Sequence, residues 1–219
     1  MPTSWTTQQK KGIKWVAKAR PGAHSLSEGT PLVLVLREIL KHANTAREAK
    51  QILNHKDVLI DGTKRNDHRY IVGLMDVISL PDVEEYYRIV FKENGRLELV
   101  KIDKKEANTK ICKITGKGLY NKKTQLRLSD GRVILVDKDE YKTADSLVLQ
   151  VPDQKIVSHL KFDKGALVLV TAGKKIGNIG TIAEVNGNMV KITSKDGDYE
   201  TLKKYCYVIG KQKPAVTVE

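Results

Sequence analysis

Residues 45–65 read Thr45-Ala46-Arg47-Glu48-Ala49-Lys50-Gln51-Ile52-Leu53-Asn54-His55-Lys56-Asp57-Val58-Leu59-Ile60-Asp61-Gly62-Thr63-Lys64-Arg65. Thr45 and Glu48 have the spacing of a capping box, in which a hydroxyl and a carboxylate satisfy the amides that a helix start leaves unpaired. A helix is therefore predicted from residue 46. Ala46, Ala49, Ile52 and Leu53 point inward, while Arg47, Lys50, Gln51 and Asn54 fall at i, i+3, i+4 and i+7 and share a polar face. Val58-Leu59-Ile60 predicts a strand, and Asp61-Gly62 supplies the positive φ of a tight hairpin. That turn sets Lys64 and Arg65 beside the helix face, with Arg69 close behind. Helix face plus hairpin makes a basic concavity suited to an irregular RNA backbone recognised by shape. An ordinary solvated face also accounts for the polar stripe.

Outward toward the N-terminus, residues 31–44 predict a second helix. Pro31 suits a first helical position. Leu32, Leu36, Ile39 and Leu40 lie at i, i+4, i+7 and i+8, one apolar stripe. Residues 1–30 hold Lys10, Lys11, Lys14, Lys18 and Arg20, two Trp and the Pro21-Gly22 breaker, without apolar periodicity. They read as an extended basic arm that orders only against a partner; a loose terminus with no role is the alternative.

Outward toward the C-terminus, the chain reads as β-rich from residue 57. Asp61-Gly62, Asn94-Gly95, Asp130-Gly131, Asn186-Gly187 and Asp196-Gly197 punctuate alternating apolar runs. Short strands at this spacing predict small barrels, not a sheet with crossover helices. A short helix is predicted at 103–107, where Asp103 and Glu106 would cap its start. Residues 110–123 contain Lys110, Lys113, Lys117, Lys122 and Lys123 and no acid. Lysines of this kind neutralise phosphates and release counterions, though a solvated loop explains any one of them. Between 165 and 193, Val168, Val170, Gly173, Lys174, Lys175, Gly177, Gly180 and Ile182 predict two strands around a Gly-rich turn. Lys174 and Lys175 sit at its tip.

The whole composition agrees with a polyanionic partner. The 219 residues carry 39 Lys and Arg against 26 Asp and Glu, a net +13, and basicity of that degree favours nucleic acid. The excess is distributed, between +2 and +4 in each of segments 1–32, 33–80, 81–165 and 166–219. The two cysteines, Cys112 and Cys206, form no CxxC pair and predict buried small hydrophobes in a reducing cytosol. His24, His42, His55, His68 and His159 lie at no zinc spacing. No P-loop, GxSxG, HExxH or strand-linked GxGxxG occurs, which argues against an enzyme. No apolar run, the longest type being Leu32-Val33-Leu34-Val35-Leu36, is long enough to span a bilayer.

The helix, the capped helix and the Val58–Gly62 turn resemble the S4-type (alpha-L) RNA-binding domain over residues 32–80. The 165–193 pattern resembles a KOW motif. S4-type domain, basic β-rich middle and KOW barrel in this order resemble the ribosomal protein S4e family of the archaeal and eukaryotic small subunit. Arg20-Pro21-Gly22-Ala23-His24, Leu74-Met75-Asp76-Val77-Ile78-Ser79, Tyr141-Lys142-Thr143-Ala144-Asp145-Ser146, Ile111-Cys112-Lys113-Ile114, Ser129-Asp130-Gly131-Arg132 and Val208-Ile209-Gly210 carry the resemblance from about residue 10 to 210. It departs at Thr6-Thr7-Gln8-Gln9, at Ala23 where Pro is usual, and at Ala172 where Gly is usual.

The resemblance implies an α+β, mostly β chain. Its parts would be a basic arm (1–30), an S4-type RNA-binding domain (31–90), a central β-rich domain (91–165), an SH3-like KOW barrel (166–210) and a C-terminal tail (211–219). It implies a cytoplasmic, archaeal-type structural constituent of the small ribosomal subunit. Its partners would be small-subunit (16S-type) rRNA and neighbouring ribosomal proteins, with no cofactor, metal, membrane or small-molecule substrate. Lys10, Lys11, Lys14, Lys18 and Arg20 of the arm are then expected on RNA. So are Arg47, Lys50, Asn54, Lys64, Arg65 and Arg69 of the S4-type domain, and Lys113, Lys117, Lys122, Lys123, Lys174 and Lys175 beyond it. Trp15 and His24 would stack on bases, with core packing equally open for Trp15. The rival readings are an RNA-modifying or assembly factor that carries an S4-type domain, and a KOW transcription-elongation adaptor.

Overall fold

The computed structural model describes residues 2, 4–5, 16–137, 139–195 and 197–218. It is mostly β, and the chain divides into two compact units, residues 1–91 with 95–108, and residues 92–94 with 109–218.

The first unit begins with β1 (Gly29–Pro31), which runs into a turn of α-helix, α1 (Leu32–Leu34), and then a wider π-helical stretch at Val35–Ile39. Pro31 is the N-cap, still extended, rather than the first helical residue. Leu32 through Leu36 are all buried. The helix is thus apolar all round, not along one stripe, as a helix inside a core must be. Its first amides find carbonyls in a neighbouring loop: Leu32 donates to Tyr70 at 2.8 Å and Val33 to His68 at 2.9 Å.

The second helix, α2 (Ala46–His55), starts where the capping box places it. Thr45 Oγ1 accepts from the Glu48 amide at 3.2 Å, and Glu48 Oε2 accepts from the Asn44 amide at 2.8 Å. Hydrogen bonds to its charged form, from the Asn44 amide first and the Thr45 side chain second, hold the Glu48 carboxyl below its ordinary value. Ala49 and Leu53 are buried and Ile52 partly so, while Arg47, Lys50, Gln51 and Asn54 are exposed; Ala46, expected to point inward, is exposed as well, because it stands in the first turn at the helix end.

The strands β2 (Leu59–Ile60), β3 (Thr63–Lys64), β4 (Ile71–Gly73), β5 (Val77–Leu80), β6 (Glu85–Phe91) and β7 (Leu97–Lys101) follow. β4 pairs with β1, and the other five form one antiparallel sheet in the order β3-β2-β5-β6-β7. Every residue of central β5 is buried. Asp61 (φ 49°) and Gly62 (φ 74°) make the β2–β3 turn. The Asp61 carboxylate folds back and accepts the Val77 amide at 3.0 Å, which ties the turn to β5. The helix expected at 103–107 is a pair of successive turns, Glu106 donating to Asp103 and Ala107 to Lys104. Arg88, fully buried in β6, accounts for this. Its guanidinium reaches both the Glu106 carboxylate (3.2 Å) and the Glu106 carbonyl (3.4 Å), and so holds the segment against the sheet.

The N-terminal segment is tied to this unit where it is described. Trp5 is buried, and its indole N–H donates to the Leu26 and Gly29 carbonyls at 3.1 and 2.7 Å. The Arg20 amide donates to Arg69. Residues 4–5 and 16–30 therefore find partners within the chain, whereas an arm ordering only against RNA was expected.

The second unit holds two five-stranded antiparallel sheets. The first contains β8 (Thr109–Tyr120), β9 (Lys123–Leu128), β10 (Val133–Val136), β11 (Ser146–Gln150) and β12 (Lys155–Leu160), in the order β10-β9-β8-β11-β12. Cys112, Ile114, Leu126, Leu128, Leu147 and Leu149 form its core, and the Cys112 thiol donates to Asp130 Oδ2 at 3.4 Å. The second contains β13 (Leu167–Val170), β14 (Ile179–Asn186), β15 (Met189–Ser194), β16 (Gly197–Leu202) and β17 (Cys206–Gly210), in the order β16-β15-β14-β13-β17.

Polar side chains join these two sheets. Buried Tyr207 donates its hydroxyl to the Ile111 carbonyl at 2.8 Å, and burial pushes that phenol well above its ordinary pKa. Burial likewise raises the Cys206 thiol to about 11, so it is a neutral packing group. Residues beyond β17 also pack: the Ala215 amide donates to Ile209, and Val216 and Val218 are buried.

Candidate nucleic-acid interface

The first unit gathers the cations that the sequence placed on one surface. α2 presents Arg47, Lys50 and Asn54, all exposed and with no ion-pair or hydrogen-bond partner among the described residues. The β2–β3 hairpin brings up Lys64, which pairs with exposed Asp57 at 2.6 Å, a contact that water weakens. Arg65 lays its guanidinium 4.6 Å from the Tyr70 ring centroid. Arg69 Nε donates to the Lys18 carbonyl at 2.9 Å, and Arg20 pairs with Asp67 at 2.9 Å. Residues 18–20 thus run beside the 65–70 loop, and both carry their positive charge to the same place.

His68 reports the resulting field. Its pKa is held below the ordinary imidazole value, first by desolvation, then by the positive charge of Lys50, with Arg69 and Arg20 adding to it and Asp67 opposing. Three cations from three separated segments therefore act on one ring. His68 was not among the residues singled out from sequence. The Arg-flanked Asp67-His68-Arg69 run was its available signal.

Elsewhere several expected contacts serve the fold. His24, expected to stack on bases, is buried and bonds Asp76 Oδ1 through Nε2 at 2.9 Å, while Asp76 Oδ2 accepts the Gly73 amide. A ring enclosed by β4 and its own carboxylate cannot stack on a base. Lys113 Nζ donates to the Lys204 and Cys206 carbonyls at 2.8 and 2.7 Å, so its ammonium joins strands instead of facing a phosphate. Lys110 is 1% exposed and pairs with buried Asp130 at 3.1 Å.

Lys117 is exposed but bonds the Tyr141 carbonyl and Asp139, and Lys123 pairs with exposed Asp137 at 3.0 Å. Lys122 stands at the β8–β9 turn with φ 64°, beside Asn121 at φ 47°. Lys174 and Lys175 are exposed in the β13–β14 turn, with Lys175 Nζ 5.8 Å from the Tyr199 ring, and Gly177 there takes φ 84°. Lys203 and Lys204, missed from sequence, lie over Phe162 and Tyr205 at 5.1 and 4.9 Å. Lys10, Lys11, Lys14 and Trp15 lie outside the described residues.

Among the described residues no group of His, Cys, Asp and Glu could hold a metal ion. No helix is long and apolar enough to cross a membrane.

Comparison with known proteins agrees with this geometry. The S4 domain family matches residues 30–78, and the ribosomal family S4e matches residues 83–156. The small ribosomal subunit protein eS4 of Methanocella arvoryzae is 45% identical, over 98% of this chain and 93% of that protein. That of Methanosphaera stadtmanae is 43% identical, over 99% and 92%. The crystal structure of the 30S ribosomal protein S4e from Thermoplasma acidophilum superposes with a TM-score of 0.73 at 31% identity, covering 84% of this chain and 96% of that one. Sequence, fold and surface chemistry converge, and the chain belongs to the ribosomal protein S4e family.

Proposed function

We propose that this protein is a structural constituent of the small ribosomal subunit, working in the cytoplasmic ribosome, and that it binds small-subunit, 16S-type rRNA without catalysing a reaction. The observation that carries this reading is the gathering of cations at the 65–70 loop, where Arg20 meets Asp67 at 2.9 Å, Arg69 meets the Lys18 carbonyl at 2.9 Å and Arg65 lies over Tyr70, together with the exposed Arg47 and Lys50 of α2. Such a surface neutralises several phosphates at once and releases their counterions. Lys18, Arg47, Lys50, Asn54, Lys64, Arg65 and Arg69 are the residues assigned to that contact. Lys117, Lys122, Lys123, Lys174 and Lys175 extend it along the second unit. The 166–210 sheet is read as an SH3-like KOW barrel, and Lys10, Lys11, Lys14, Lys18 and Arg20 of the basic N-terminal arm (1–30) as reaching RNA.

The test is binding of the full chain to small-subunit rRNA across a salt series. Log affinity falls linearly with log salt, with a slope of about 0.9 per neutralised phosphate. A flat response overturns the reading. Cosedimentation with small subunits that survives a moderate wash and is lost at high salt is the expected companion result.

A further inference from the structure

Each of the three five-stranded sheets has two edges, and five of these six edges are closed by an identifiable device. An open edge offers unpaired N–H and C=O groups to any other chain, so folded proteins shorten, charge, bend or cover it. β3 is two residues long and ends in Lys64. β7 carries Glu98 and Lys101, and the Ser4 carbonyl takes its Leu97 amide at 2.9 Å. β12 carries Lys155 and His159 and breaks register against β11 between Val148 and Leu149. β16 carries Asp198 and Glu200. β17 is covered by the chain's own tail, through a Gly210–Pro214 bridge and the Ala215 amide on the Ile209 carbonyl.

β10 is the exception. It reads Val133-Ile134-Leu135-Val136, with no charge, proline or glycine. Just before it, the Leu128 amide donates to the Arg132 carbonyl at 2.9 Å. Bonded and unbonded pairs alternate along an antiparallel ladder. With Leu126 opposite Ile134 and Thr124 opposite Val136, it is Ile134 and Val136 that bond β9. Val133 and Leu135 therefore turn their N–H and C=O groups away from the sheet, and no described residue takes them. Their side chains are 45% and 48% exposed.

The chemistry of this edge selects its partner. Donors and acceptors in line, repeating about every 7 Å between apolar side chains, match an extended polypeptide backbone. β10 has no cation to offer a phosphate. A second copy of this chain could pair here, but an edge about 14 Å long falls far short of the roughly 1,200 Å² that holds two folded proteins together. Charge sets one end of the partner. Asp137, Asp139 and Glu140 are exposed immediately beyond β10. Lys123 and Lys117 share the first two, and Glu140 has no ion-pair partner among the described residues. A strand added antiparallel, as throughout this sheet, brings its N-terminal end to Glu140.

We infer that β10 accepts, as a sixth strand of its sheet, an extended segment of a neighbouring small-subunit protein, apolar at alternate positions and basic at its N-terminal end. This rests on the ribosomal reading above and adds a protein contact made by backbone hydrogen bonds to the RNA contacts made by cations.

The test uses the full chain, free and in reconstituted small subunits. In the free chain, amide exchange is slow at Ile134 and Val136 and fast at Val133 and Leu135; in the subunit all four are slow. A benzophenone amino acid in place of Leu135 cross-links to a protein segment that mass spectrometry shows to be apolar at alternate positions, with Lys or Arg at its N-terminal end. Val133→Pro removes an outward donor at the first residue of an edge strand, where proline is tolerated. It leaves the unfolding midpoint and the salt slope of rRNA binding unchanged, and lowers retention in washed subunits about tenfold. Cross-linking to rRNA refutes the inference, as do Val133 and Leu135 amides that stay fast in the subunit, or a proline variant retained as well as the wild type. Protected amides in a free chain with the mass of a dimer assign the edge to a second copy and refute it too. In each of these cases the wild type still enters subunits and keeps its salt slope; if it does not enter them, the ribosomal reading falls and takes the inference with it.

Discussion

Lys50 and Lys110 are the same residue type in two different situations. Lys50 stands on α2 in the first unit, exposed, with neighbouring cations and no acid in contact among the described residues. Lys110 stands on β8 in the second, 1% exposed, against Asp130 with Arg132 3.4 Å from the same carboxylate. Lys113, three residues on, is spent on two carbonyls. The charge of α2 is available to a partner, and that of Lys110 and Lys113 on β8 is taken up inside the fold. A lysine count along a sequence therefore overstates the RNA surface wherever strands are long enough to draw ammonium groups inward.

The largest test of this contrast is Lys110→Met. It leaves the Asp130 carboxylate buried without its main partner, and loss of about 3–5 kcal/mol in chemical denaturation is expected. The same change at Lys50 is expected to stay within about 0.5 kcal/mol. Equal costs at both sites would break the comparison.

Asp130 gives that result a pH signature. Burial raises its pKa, but Lys110 and then Arg132 outweigh burial and hold it below the ordinary 3.8. A depressed carboxyl adds stability that is complete above its unfolded value and is lost as pH falls through the folded one. Acid unfolding of the second unit below about pH 4 should therefore lose its steepness in Lys110→Met with Asp130→Leu.

Lys113→Met comes next. It strips two carbonyls of a charged donor, with a loss of about 2 kcal/mol in denaturant unfolding, while rRNA affinity of the folded variant stays as in the wild type. A tenfold loss of affinity at unchanged stability would return Lys113 to the RNA surface.

The smallest effect is on His68. Lys50→Ala raises its pKa in an NMR titration, because a positive charge that disfavoured the imidazolium is gone. Bound phosphate raises it as well. A pKa unmoved by either would separate Lys50 from the cluster.

The features legible in the sequence are those with short-range causes. Thr45 and Glu48 are three residues apart, and their bonds form as the spacing predicts. Asp61-Gly62 turns because its backbone must. The features that were not legible depend on distant partners: His24 meets Asp76 across 52 residues, and Lys113 meets Cys206 across 93. Nothing local to His24 distinguishes a ring sealed in a core from one offered to a base. The 103–107 segment failed similarly, since Arg88 decides its shape from another strand.

The links from Ile111 to Tyr207 and from Lys113 to Cys206 span 96 and 93 residues. On a growing chain, at about 5–20 residues per second, β8 waits roughly 5–20 s for β17 to be made. The helix and hairpins of the first unit close within their own hundred or so residues, long before that. Synthesis thus delivers a finished first unit while the second still lacks its last strand, and an interruption upstream of Lys204 leaves β8 with a lysine and a carbonyl whose partners were never made.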